Sequence, residues 1–186
     1  MSTRGKAFNL IKALSFTLGD FTLASGAKSK YYLDMKPTMF NPEGATVLAK
    51  LVLERISGLP VDLVGGLEMG AVPLIAPINM ISYEMGRPIP GFFVRKQVKD
   101  HGTKKLIEAA DDMRGKNVVI LDDVTTTGGS AMIAVDAVKA AGANVLLVLS
   151  IVDREEGATE FYAKAGVPFD RLFTTSDFMG ASSSAS

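Results

Sequence analysis

One stretch limits the folds open to this chain more than any other. VVILDD (Val118 to Asp123) is an apolar run of strand length ending in two acids, and SAMIAVDAVKAAG (Ser130 to Gly142) has helical periodicity and stops at a glycine. NVLLVLSIVD (Asn144 to Asp153) is a second apolar run. Strand, helix and strand in that order form a βαβ unit with buried parallel strands, which predicts an α/β fold.

The rest of the chain extends this pattern. Lys6 to Leu14 reads as a short amphipathic helix, and Phe21 to Lys36 as strand, glycine-containing turn and strand. Asn41-Pro42-Glu43 has the chemistry of a helix start and opens a helix that stops near Gly58. VDLVGG from Val61 is a buried strand. Gly70 to Gly86 is apolar nearly all round and predicts a buried helix that Pro77 should kink or end early. PGFFVRK is a further strand leading into RKQVKDHGTKK, the most polar part of the chain. The tail at 180–186, GASSSAS, is expected to be disordered. With no repeat and no linker, residues 1–186 are expected to form a single doubly wound domain with a mainly parallel sheet.

Composition removes whole classes of chemistry. Without cysteine there is no disulfide framework, thiolate metal site or cysteine nucleophile, and His101 is the sole histidine. Lys and Arg number 20 against 20 Asp and Glu, so no global field favours nucleic acid or anionic lipid. No stretch has the length of a membrane span and no signal-peptide core opens the chain, so a cytoplasmic location is expected.

The loop after VVILDD carries the strongest functional signal. In doubly wound folds ligands sit at the carboxyl ends of the strands, where Asp122 and Asp123 emerge. Val124, Thr125, Thr126, Thr127, Gly128, Gly129 and Ser130 then run into a helix N-terminus, where glycines, hydroxyls and the helix dipole favour an anion. Carboxylates beside a phosphate cradle suit a phosphorylated ribose. A P-loop would need Lys after Gly129, and a dinucleotide fingerprint a different glycine spacing. Any single Thr or Gly here also fits a plain strand–turn–helix; the complete run is what points to a ligand.

VVILDDVTTTGGS resembles the signature of the type I phosphoribosyltransferases, which bind phosphoribosyl pyrophosphate (PRPP) and replace its pyrophosphate with a nitrogen base. The resemblance implies that Asp122 and Asp123 hold the ribose hydroxyls, and that Thr126 to Ser130 hold the 5′-phosphate. Lys99-Asp100-His101-Gly102, FTLASGAKSKYYLD, the run Gly65 to Leu74 and IVDREEGA (Ile151 to Ala158) resemble one member family, orotate phosphoribosyltransferase. The likeness covers Phe21 to about Phe178. It implies a small N-terminal hood (1–36), a mobile lid (95–105), Mg²⁺ carried mainly by PRPP and water with no protein metal site, and a homodimer with shared active sites. Arg95, Lys96, Lys99 and His101 would bind pyrophosphate, Thr126 and Arg154 would contact orotate, and Lys99, His101 and Asp123 would be catalytic.

Physical arguments run beside the resemblance. The lid's clustered cations suit the charge that develops on a departing pyrophosphate, although a charge run alone is more often a solvated loop. Arg154 offers a planar fork for the orotate carboxylate, although without the resemblance an arginine beside Glu155 and Glu156 is more often an ordinary surface residue. Relatives carry lysine where this chain has Ala24 and Gly70, often Glu at Asp122, and usually an apolar residue at Thr125. Transfer to another nucleobase, or a PRPP-sensing regulator, remains open at this level.

Overall fold

The structure, a computed structural model, describes residues 1–22, 26, 28–97 and 105–180. The first helix, α1 (Thr3–Leu14), is capped by Ser2, whose hydroxyl accepts from the Gly5 N–H. A hairpin follows, β1 (Phe16–Thr22) paired antiparallel with β2 (Lys28–Leu33). The hairpin predicted between Phe21 and Lys36 is present, but its first strand begins earlier, at Phe16. A short helix, α2 (Lys36–Phe40), leads into α3 (Pro42–Ile56), where Asn41 Oδ1 accepts from the N–H groups of Glu43 and Gly44 at 3.0 Å each.

The main sheet contains β3 (Leu63–Leu67), β4 (Gly91–Val94), β5 (Ile107–Ala109), β6 (Asn117–Thr125), β7 (Asn144–Asp153) and β8 (Phe169–Thr174). Its order is β5-β4-β3-β6-β7-β8, with every pair parallel except β4 and β5. The helices α4 (Val72–Glu84), α5 (Gly129–Ala140), α6 (Ala158–Lys164) and α7 (Thr175–Gly180) complete the fold. Two apolar cores result: one contains Val64, Leu74, Ile78, Leu121 and Leu149, the other Leu63, Ile120, Val135 and Val148. Among the described residues no helix is long and apolar enough to cross a membrane.

From β3 the chain winds outward to β4 and β5, then returns to add β6, β7 and β8 on the other side. The switch therefore lies between β3 and β6, and a crevice opens beyond the carboxyl ends of those strands. β3 can lie this close to its neighbours because it carries glycines. A Cβ at Gly65 would fall on the Phe92 carbonyl, and one at Gly66 on the Leu121 carbonyl.

Two expectations are corrected. Pro77 does not end α4, which continues to Glu84; its missing N–H forfeits only a bond to the Pro73 carbonyl in the first turn. Nor is that helix buried all round: Leu74 and Ile78 are inside, while Met80 and Tyr83 are 66% and 75% exposed. Gly180 ends α7, one residue into the expected tail; the remainder of the tail lies outside the described residues.

Candidate active site

The carboxyl end of β6 brings the two acids to the crevice. Asp122 is 8% exposed and accepts a hydrogen bond from Thr125 Oγ1 at 2.8 Å. Thr125 itself is buried, so its hydroxyl supports the carboxylate from within the protein. Asp123 is less enclosed, and across the crevice a Cβ on Gly70 would come within 2.6 Å of its Oδ1. A side chain at Gly70 would require the Asp123 carboxylate, the end of a flexible side chain, to shift. The segment carrying Gly70 leaves β3 through a cis peptide between Glu68 and Met69.

The loop beyond the acids has an anion-binding form. Gly128 has φ +93°, and α5 begins at Gly129 with no side chain capping it. Its first N–H groups therefore lack intrahelical partners, at the end where the dipole favours negative charge. Gly129 and Ser130 are exposed there, and Thr126 and Thr127 form the approach.

A second corner adjoins this loop. Thr125 pairs with Asp153 across the β6–β7 ladder, and the Arg154 N–H donates to the Thr125 carbonyl at 2.9 Å. The Arg154 Nε contacts Tyr31 Oη at 3.2 Å and Glu156 Oε1 at 3.0 Å, while its guanidinium lies 5.3 Å from the Tyr31 ring centroid. Glu155 fixes the turn from the other side, accepting from Ser176 N and Oγ and from Thr175 Oγ1. The two adjacent glutamates thus do different work: Glu155 fastens the turn, and Glu156 pairs with the arginine.

The residues that follow β4 join this region through Glu68. The Lys96 N–H donates to Glu68 Oε1 at 3.1 Å; Arg95 lies 4.0 Å from Glu68 and 3.1 Å from Glu108, with its guanidinium over the Phe93 ring. Lys99 and His101, like Ala24, fall outside the described residues. Sequence reasoning did not single out Tyr31 or Lys36. Tyr31 arrives from the hood, and Lys36, held by Asp34 at 3.0 Å, lowers the proton affinity of Asp123 through its charge. YYLDMK held both residues, but nothing in its spacing says which strand end they reach. Among the described residues no group of three or more acids or histidines is placed to hold a metal ion.

Burial pushes the Asp122 carboxyl up to about 7; the Thr125 hydrogen bond opposes this and the Asp123 charge adds to it. Burial likewise raises Asp123. A carboxyl with a higher value in the folded than in the unfolded chain binds its proton more tightly when folded. For Asp122 that stabilisation is complete below about pH 4 and is lost as pH rises through about 7. Asp122→Asn, which cannot ionise, should therefore melt roughly several degrees higher than the native protein at pH 8 without ligand, since ~1 kcal/mol shifts a chain of this size by about 2–4 °C. The two melting curves should converge near pH 4. A difference that stays constant with pH would show that Asp122 is not the titrating group.

Comparison with known proteins agrees with this geometry. Residues 41–171 match the family model for the phosphoribosyl transferase domain. An orotate phosphoribosyltransferase of Bradyrhizobium diazoefficiens is 51% identical over 183 residues, covering 97% of this chain and 98% of the relative. The Mycobacterium tuberculosis H37Rv orotate phosphoribosyltransferase, solved with Fe(III) dicitrate, superposes with a TM-score of 0.83 at 33% identity, covering 95% of this chain and 99% of that one. The same mycobacterial enzyme solved with PRPP superposes with a TM-score of 0.80 at 30% identity and the same coverage. A parallel sheet switching at β3 and β6, an acid pair leading into an uncapped helix, and near-full-length similarity together place the chain in the orotate phosphoribosyltransferase family.

Proposed function

We propose that this chain transfers the 5-phosphoribosyl group from PRPP to orotate, releasing pyrophosphate and forming orotidine 5′-monophosphate in pyrimidine synthesis, and that it does so in the cytoplasm. The observation that carries the reading is the bond from the Arg154 N–H to the Thr125 carbonyl. It ties the Arg154 backbone to the strand end that carries the acid pair and leads into the glycine-rich loop, which supports a carboxylate-binding role for this arginine. PRPP would lie with its 5′-phosphate on Thr126 to Ser130 and its ribose hydroxyls on Asp122 and Asp123. Orotate would place its carboxylate on the Arg154 fork, which is held through Nε by Tyr31 and Glu156.

In this reaction the bond from the ribose anomeric carbon to pyrophosphate breaks, one to an orotate ring nitrogen forms, and the proton on that nitrogen passes to the released pyrophosphate or to water. The transition state resembles a ribosyl oxocarbenium ion, and no covalent enzyme intermediate is needed. Lys99 and His101, with Arg95 and Lys96 at the base of the lid, would stabilise charge on the leaving group by electrostatics and positioning. Mg²⁺ would screen the pyrophosphate. With Asp122 and Asp123 taken up by the ribose hydroxyls in this reading, the ion would be carried by substrate oxygens and water.

Arg154→Ala should weaken use of orotate by ~2–5 kcal/mol, the scale for breaking a desolvated charge pair. The KM for PRPP should stay nearly constant, since that ligand occupies the neighbouring loop. Equal losses toward both substrates would remove Arg154 from the orotate site.

The active unit is a two-fold homodimer with shared sites. Support comes from the outer face of α4 and its surroundings, where Met69, Met80, Tyr83 and Met85 are 57% to 75% exposed beside a groove lined by Ile75, Ala76 and Phe93. Apolar surface of this kind marks an association face. It borders β4 and β5, the strands between which the lid is strung, so a two-fold axis there would bring each lid toward the partner's crevice. Lys99→Ala and Asp123→Asn should each be nearly inactive, but exchanging their subunits should restore about a quarter of native activity. Random exchange makes about half the dimers mixed, each with one intact site of two. A mixture that stays inactive despite proven exchange would show that each lid serves its own chain.

A further inference from the structure

The Gly128 carbonyl accepts two hydrogen bonds, from the Met132 N–H at 3.2 Å and from the Tyr162 hydroxyl at 2.8 Å. The first belongs to the opening turn of α5. The second crosses from α6, where Tyr162 is fully buried and stacks on Phe169 with centroids 4.8 Å apart. Phe161 and Tyr162 lie so near Gly128 that a Cβ there would come within 2.8 Å of the first and 2.9 Å of the second. Burial raises the phenol's proton affinity well above its ordinary range, so the hydroxyl remains a protonated donor.

The peptide joining Gly128 to Gly129 is planar and trans, so its C=O and N–H point in opposite directions. Fixing the carbonyl against α6 turns the Gly129 N–H away from α6. On that side Gly129 is exposed, and a Cβ added to it would meet nothing within 4 Å. We propose that Tyr162 is a positioning residue for PRPP binding: its hydroxyl fixes the Gly128–Gly129 peptide so that the Gly129 N–H is preset for the 5′-phosphate. This rests on the reading that the loop holds that phosphate.

Tyr162→Phe removes the hydroxyl and keeps the ring. The KM for PRPP and the Kd for ribose 5-phosphate should both rise about three- to tenfold, the worth of one neutral hydrogen bond. The KM for orotate should change less than about twofold, because the Arg154 side chain is held by Tyr31 and Glu156 rather than by Tyr162. Ribose 5-phosphate lacks both pyrophosphate and base, so its titration isolates the phosphate end. Unchanged ribose 5-phosphate affinity overturns the proposal, even if the variant melts lower, since Tyr162 would then serve packing alone. An equal rise in both KM values also overturns it. Ser130→Asp tests the underlying reading separately: an acid in the first turn suits the helix dipole but repels a phosphate. If Ser130→Asp binds ribose 5-phosphate normally, the loop is not the phosphate site and both ideas fall. If it loses binding while Tyr162→Phe does not, only the role of Tyr162 is lost.

Discussion

Everything at this site hangs from the end of one parallel ladder. β6 and β7 remain paired from Asn117 with Asn144 to Thr125 with Asp153. The carboxyl end of the ladder delivers Asp122 and Asp123 from one strand and Arg154 from the next. The neighbouring strands β3 and β7 satisfy the backbone groups of β6, so acids can emerge at its end without an irregular loop to carry them. The cost falls on Asp122, which is buried with one hydroxyl donor and an acidic neighbour. A ligand that donates hydroxyl hydrogens to this pair would relieve part of that cost.

The second corner depends on the hood. Phe8 stacks on Phe178 with centroids 4.9 Å apart, and Phe16 lies against both Phe178 and Tyr31. Aromatic pairs of this kind contribute about 0.5–1.5 kcal/mol each beyond their buried area. Together they tie α1 and the hairpin to α7 and set Tyr31 beside Arg154. The orientation of the guanidinium thus depends on N-terminal residues that touch neither the phosphate loop nor the acid pair.

Legibility in the sequence followed chemical contrast. β6, α5 and β7 were readable because apolar runs, a glycine-rich turn and a helical period agree there. The end of α3 and the cap at Asn41 were readable for the same reason. By contrast β5 is three residues long and polar at Glu108, too short to show any period. The exposed face of α4 was hidden because an apolar face turned to solvent and one buried in the core have the same composition. Tyr31 and Tyr162 were also hidden, since what matters is which distant backbone or side chain each hydroxyl meets. Thr125 illustrates the limit well. Its presence among apolar expectations was visible, but its bond to Asp122 required three dimensions.

If the glycine-rich loop and Arg154 serve one reaction with one base, orotate should be consumed and purines should not. The most direct test follows orotate absorbance after the purified protein is mixed with PRPP and Mg²⁺, with matched reactions containing adenine or hypoxanthine. Loss of orotate absorbance with stoichiometric release of pyrophosphate, and no reaction with either purine, is the expected result. Consumption of a purine with orotate left untouched would contradict the assignment of Arg154 and of the substrate.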